Sequence, residues 1–256
     1  MTGPVLGLGL AGEGVIVTGA SGGIGREIAV GMANAGARVC AIDLPGREVD
    51  VVASSLPGRS DHVAIELDLC ETNAIEPAID AMVERFDGIW ALVNAAALLK
   101  REAPNAVTED SWDAQFDVNA KATFWLNRVA GNKLIERGRG GRIVNFTSAA
   151  WLTGPMINSD VYAASKGSVV TLTRGFARRL GPFGITVNAI SPGQIATPLQ
   201  AQENTSEAME AITADCPLGR MGTAGEVAAV AIFLASRHAS FISGATINVS
   251  GGLLMY

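Results

Sequence analysis

Seven short runs of this chain are apolar at nearly every position, not at every second one: residues 14–18, 38–42, 63–67, 89–93, 141–146, 185–190 and 245–249. Strands of that kind have no face left for water, so both faces of the sheet must be covered. Helical patterns separate them. Ile28, Met32 and Ala35 are spaced to face a core before Gly36 ends the first helix, and further helices are expected over 73–86, 108–135 (one or two) and 161–180. Strands alternating with helices predict an α/β fold, a doubly wound seven-stranded parallel sheet with helices on both faces. No repeat, low-complexity tract or linker divides the 256 residues, so a single domain spanning 1–256 is expected.

In such a sheet ligands bind beyond the carboxyl ends of the strands, where strand order reverses. After the first strand come Thr18, Gly19, Ser21, Gly22, Gly23, Ile24 and Gly25, a turn that opens a helix. Glycines let backbone approach a pyrophosphate closely, and the helix N-terminus offers free N–H groups to it. The spacing G-x-x-x-G-x-G is not G-x-G-x-x-G. Asp43 ends the second strand, where a carboxylate accepts from ribose hydroxyls and repels a 2′-phosphate, which favours NAD over NADP. Arg47 is near enough to soften that preference.

Tyr162 and Lys166 are four residues apart on an expected helix, one turn above each other on one face. A cation beside a phenol favours the phenolate, so the pair suits acid–base chemistry without histidine. Hydrolysis by a serine–histidine–aspartate set is poorly supported, because the only histidines, His62 and His238, lie in no such motif.

The net charge of −6 argues against a nucleic-acid partner. The one compact basic run, Arg137, Arg139 and Arg142, is expected to be a solvated turn after a helix. Three cysteines without C-x-x-C spacing indicate neither a disulfide framework nor a zinc site, which fits a reducing, cytoplasmic setting. No export or membrane segment is expected, since no apolar run reaches membrane-spanning length.

Taken together, Thr18-Gly19-(x)3-Gly23-Ile24-Gly25, Asp68-Leu69, Asn94, Asn119, Ser148, Tyr162-x-x-x-Lys166 and Pro192-Gly193-x-Ile195-x-Thr197 resemble the short-chain dehydrogenases/reductases along nearly the whole chain. The resemblance implies a Rossmann-type fold and a catalytic set of Asn119, Ser148, Tyr162 and Lys166. Ser148 would bond the substrate oxygen, Tyr162 would be the acid–base, and Lys166 would lower its pKa and bond the nicotinamide ribose. Asn119 would position a water and a helix backbone in a proton route. Asp68, beside Leu69, would bond the adenine amino group, and Asn94, with Ala95 and Ala96, would steady the segment under the adenosine ribose. Pro192, Gly193, Ile195 and Thr197 would lie against the nicotinamide. One departure stands out: the family's Asn-Asn-Ala-Gly reads Asn94-Ala95-Ala96-Ala97 here, and Ala97 would be strained if that position needed a positive φ.

The resemblance also implies reversible hydride transfer between a secondary alcohol and NAD. The expected pocket wall (Ala96, Leu98, Ala150, Trp151, Met156, Ile157, Gln194, Leu199) is mostly apolar with no clamp for a carboxylate. A neutral polyol, cyclic or steroid-like alcohol is therefore expected, beneath a lid over about 194–215. Two alternatives stand beside this reading: an NADPH-dependent 3-oxoacyl thioester reductase and a non-catalytic dinucleotide-binding regulator. Assembly as a homotetramer or homodimer is expected, helped by the apolar tail of Leu253, Leu254 and Met255.

Overall fold

The computed structural model describes residues 8–58, 61–155, 158–197, 213 and 216–256. Its order is β1 (Gly14–Thr18), α1 (Gly23–Asn34), β2 (Arg38–Asp43), α2 (Val49–Ser55), β3 (Val63–Glu66), α3 (Thr72–Phe86) and β4 (Ala91–Asn94). Then come α4 (Glu109–Phe116), α5 (Ala122–Arg137), β5 (Gly141–Phe146), α6 (Ala150–Thr153), α7 (Asp160–Leu180) and β6 (Ile185–Pro192). A two-residue pair, β7 (Ile195–Ala196) and β8 (Gly222–Thr223), precedes α8 (Ala224–Ala235) and β9 (Thr246–Val249). The main sheet is parallel, with strand order β3-β2-β1-β4-β5-β6-β9. The order reverses between β1 and β4, which sets the binding crevice above their carboxyl ends.

Successive residues of the central strands feed opposite cores. Val15, Val17, Ala91, Val93 and Val144 pack with α1 and α8, while Ile16, Leu92 and Ile143 pack with α3, α5 and α7. Every residue of β1, β4 and β5 is buried, which is why these runs read as continuously apolar. The seven expected strands are all present. Two shift slightly: Ile89 and Trp90 are buried but precede β4, and β6 runs on to Pro192. Helix α8 escaped the periodicity reading because it is apolar almost all round and carries no amphipathic stripe.

The span 108–135 holds α4 and α5, joined through a π-helical turn at Asp117–Lys121. The basic run departs from expectation. Arg139 is exposed, but Arg137 and Arg142 are not solvated. Arg137 pairs at 2.6 Å with Glu13, whose side chain is 10% exposed, and Arg237 reaches the same carboxylate at 2.8 Å. Arg142 donates to the Ser236 carbonyl and lies over the Trp90 ring, with Arg237 over the same ring. Helix α8 and its following turn bring these partners over the lower edge of the sheet, so a local basic run becomes part of the core.

Candidate active site

The glycine turn follows β1, and its shape depends on missing Cβ atoms. Gly19 sits at φ 67°, and a Cβ on Gly25 would fall 2.0 Å from the Gly19 carbonyl oxygen. Asp43, at the end of β2, accepts from the Ser21 amide and from the Leu44 amide, both at 2.8 Å. The Ser21 hydroxyl is shielded from solvent and has no hydrogen-bond partner among the described residues. A tight turn, an orphaned hydroxyl and a helix N-terminus with free N–H groups together fit the pyrophosphate of a dinucleotide. Glu66 pairs in register with Asp43 across β2 and β3, and its carboxylate accepts from Gly46 at 3.0 Å. Two carboxylates thus stand where the adenosine ribose would lie.

A cavity of about 380 Å³ opens beside this turn. Ser148 and Ala150 border it from the turn after β5 and the start of α6, Tyr162 and Lys166 from α7, and Pro192, Gly193, Gln194, Ile195 and Thr197 from the end of β6 and beyond. Helical spacing does place Tyr162 and Lys166 on one face, with the ammonium 5.8 Å from the phenol ring centroid. Lys166 is 2% exposed and donates to the Phe146 carbonyl at 2.9 Å. Burial pulls its ammonium down to about 8.

Burial also pushes the Tyr162 phenol up to about 12, opposed by a hydrogen bond with Ser148 and by the positive charge of Arg101. The expected lowering of the phenol by Lys166 is not seen: the influences that oppose burial are those of Ser148 and Arg101, and the lysine is itself drawn down by desolvation.

Asn119 lies in the π-helical turn, fully buried, and does not border the cavity. Its side chain accepts from the Leu98 amide at 2.9 Å, donates to the Leu98 carbonyl at 2.8 Å and donates to Ser165 at 3.0 Å. Its carbonyl accepts from Thr123. Asn94 is likewise internal, donating to Asn127 and Asn145 across the core. Asp68 accepts from Cys70, and Leu69 is a core residue.

The pocket wall differs from expectation in its phase. Ala95, Ala97, Leu99 and Arg101 line the cavity, not Ala96 and Leu98. The intervening amides are held one by one: Ala96 by Thr18 at 3.3 Å, Leu98 by Asn119, Lys100 by Gln115 at 3.1 Å, and Glu102 by the Asn158 carbonyl at 2.7 Å. This ladder of single partners imposes a strand-like period of two on a segment outside the sheet. Ala97 is not among the residues with positive φ, so the anticipated strain does not arise.

Trp151 is also absent from the lining; it packs edge-on against Tyr256. That contact draws the C-terminal tail in, and Leu253 borders the cavity in its place. Met156, Ile157, Leu199 and most of the expected lid lie outside the described residues. Arg101 joins a wall that was expected to be mostly apolar. No periodicity marked it; only its partners' positions do.

A reversing parallel sheet, a glycine turn beside a carboxylate, and Ser148, Tyr162 and the buried Lys166 on one cavity are features of the dinucleotide-linked oxidoreductases acting on CH–OH groups. Comparison with known proteins agrees. The family model described as Enoyl-(Acyl carrier protein) reductase matches residues 19–254. The rat (3R)-3-hydroxyacyl-CoA dehydrogenase is 37% identical over 253 residues, covering 94% of this chain and 95% of that protein. The 3-oxoacyl-acyl-carrier-protein reductase of Thermotoga maritima is 33% identical, covering 96% and 99%. Among solved structures, a glucose/ribitol short-chain dehydrogenase/reductase from Brucella melitensis superposes with a TM-score of 0.89 at 32% identity, covering 96% of this chain and 98% of that one. The chain belongs to the short-chain dehydrogenase/reductase family.

Proposed function

We propose that this protein catalyses reversible, NAD-linked oxidation of a secondary alcohol to its ketone. The observation that carries the reading is that Ser148 and Tyr162 border one cavity reaching Thr197, near enough that the serine hydroxyl favours the phenolate, with Lys166 buried beside them. When bound, an oxidised nicotinamide supplies the hydride acceptor and a positive charge. Ser148 both donates and accepts, so it holds the substrate oxygen as alcohol or as carbonyl. Tyr162, as phenolate, takes the hydroxyl proton during oxidation and as phenol returns it during reduction. Lys166 contributes positive charge beside the phenolate. Asn119 acts through Leu98, holding the cavity wall in register.

NAD is favoured over NADP by the paired carboxylates of Asp43 and Glu66, which repel an added phosphate. A screen of secondary alcohols with NAD at mildly alkaline pH, read as NADH absorbance, tests the reaction class. Parallel rates with NADP test the cofactor. The second reading, an NADPH-dependent 3-oxoacyl thioester reductase, draws on the Thermotoga relative. Rates with NADPH well above those with NADH on an acyl thioester would favour it.

The apolar wall of Ala95, Ala97, Leu99, Ala150 and Leu253 suits the hydrocarbon part of a small alcohol. Phe233, Phe241, Met255 and Tyr256 are exposed and support self-association as a homodimer or homotetramer. A light-scattering mass of one chain would refute that. No helix among the described residues is long and apolar enough to cross a membrane.

A further inference from the structure

The chain leaves the main sheet at Val249 and turns back at once. The Leu253 amide donates to the Ser250 carbonyl at 3.1 Å, and the two residues between them, Gly251 and Gly252, sit at φ 64° and 88°. A turn with two successive positive φ values favours glycine at both places. Space demands it as well: a Cβ on Gly251 would fall 2.7 Å from the Cys216 sulfur, and one on Gly252 3.0 Å from the Pro217 ring. The Gly251 carbonyl accepts from the Leu218 amide at 3.2 Å, and the Leu254 amide donates to the Ser250 hydroxyl at 3.1 Å. The reversal is fixed at every residue.

Because β9 is parallel to β6, the turn lies at the carboxyl edge of the sheet, where the cavity opens. The tail is pinned on two sides of that opening. Ser250 occupies the space left by the missing side chain of Gly193, where a Cβ would lie 2.7 Å from the serine Cβ. Tyr256 meets Trp151 edge-on, with ring centroids 5.7 Å apart. Gly193 borders the cavity, and so does Ala150, the neighbour of Trp151. Between these two anchors Leu253 enters the lining, the only described residue beyond Thr197 to do so. Much of the remaining apolar wall is alanine (Ala95, Ala97, Ala149 and Ala150), so a leucine here takes up room that the other side chains leave open.

We propose that Leu253 is a specificity-determining residue that closes the apolar end of the cavity and limits the length of the alcohol's hydrocarbon chain. The inference rests on the alcohol-oxidising reading above and deepens it by naming what sets the substrate range. In a close-packed wall the volume of a leucine side chain is held either by the protein or by the ligand, not by both. Each substrate methylene that gains burial is worth about fourfold in kcat/KM. The Gly251–Gly252 turn and the Trp151–Tyr256 contact are positioning elements, because none of these four residues borders the cavity.

The test measures kcat/KM with NAD for the homologous 2-alkanols from 2-butanol to 2-octanol. In L253A the ratio for 2-octanol over 2-butanol rises by roughly 10- to 60-fold above the wild type, as room for two or three further methylenes predicts. In L253F the ratio falls below the wild type, so the two variants move it in opposite directions. Y256A keeps the leucine but frees the tail and gives a smaller rise. An unchanged ratio in L253A, or an equal loss on every member of the series, overturns the inference while leaving alcohol oxidation standing, because the tail would then only support the fold. A Y256A ratio equal to that of the wild type overturns the part assigned to the Trp151–Tyr256 contact. No NADH from this series or from a wider screen of secondary alcohols removes the alcohol-oxidising reading itself. NADH binding and circular dichroism of each variant establish that it is folded.

Discussion

The Asn119 side chain clasps the backbone of Leu98 from both sides, accepting from its amide at 2.9 Å and donating to its carbonyl at 2.8 Å. One amide side chain thereby does what a neighbouring strand would do, at the middle rung of the segment that forms the cavity wall. Its own position depends on the π-helical turn at Asp117–Lys121 and on its bond to Ser165 in α7, the helix that also carries Tyr162 and Lys166. Wall and α7 are thus tied through the Asn119 side chain.

Asn119→Ala removes those bonds and strands two backbone groups in a buried place. The expected loss of stability is about 1–3 kcal/mol in urea unfolding, with a higher KM as the wall loosens. Asn119→Asp puts a buried carboxylate oxygen against the Leu98 carbonyl and is expected to lose at least as much. Unchanged stability and KM in Asn119→Ala would show that the clasp is incidental.

Tyr162→Phe removes the phenolic oxygen and leaves the ring in place. Turnover is expected to fall by roughly 10²–10⁴-fold or more, with NADH binding retained by fluorescence titration. Residual turnover close to wild type would assign the proton to another group.

The two buried ionisable groups make opposite contributions to stability. Lys166 has a native value of about 8 against an ordinary 10.5, so between those values the unfolded chain binds more protons and stability rises with pH. Tyr162 has a native value of about 12 against an ordinary 10.0; above 10 the native chain binds more protons and stability falls. At pH 7 the buried ammonium costs on the order of 3 kcal/mol. Lys166→Met is therefore expected to be inactive but more stable at pH 7, and to lack the rise between pH 8 and 10. Urea midpoints across pH test this, and a variant that follows the wild-type curve would show that the lysine's burial is relieved in solution.

Asp43 holds the glycine turn through the Ser21 amide, and in the proposed function it also receives the ribose. Asp43→Asn is expected to raise KM for NAD about tenfold or more and to narrow the preference over NADP, since the repulsive charge is halved while Glu66 remains. An unchanged NAD-to-NADP ratio would argue that Asp43 only shapes the turn.

Glu13 holds Arg137 and Arg237 at the lower edge of the sheet, remote from the cavity. Glu13→Ala leaves Arg137, whose side chain is 12% exposed, without its carboxylate, while the half-exposed Arg237 is screened by water, and about 1–3 kcal/mol of stability should be lost. The activity of the folded fraction should be retained. A melting temperature close to wild type would place this cluster among ordinary surface pairs.

The ladder at 95–102 shows where reading from sequence stops. Ala96 and Leu98 are as apolar as Ala95, Ala97 and Leu99, so nothing local selects which set faces the cavity. The choice is made by Thr18, Gln115, Asn119 and Asn158, residues from three separate parts of the chain. The same holds for Trp151, turned aside by Tyr256, and for Leu253, which reaches the cavity because the tail folds back, with Asn248 donating to the Leu254 carbonyl.

From the sequence alone came the alternation of strands and helices, the glycine turn after β1, the carboxylate after β2, and the shared face of Tyr162 and Lys166. All of these are periodic or nearest-neighbour properties, dictated by backbone geometry within a few residues. The tertiary structure alone decided that Arg101 lines the cavity, that Arg142 is buried and Arg137 largely so, and that burial dominates the ionisation of Tyr162. Those depend on distant groups meeting and on water being excluded where they meet, which no local pattern records.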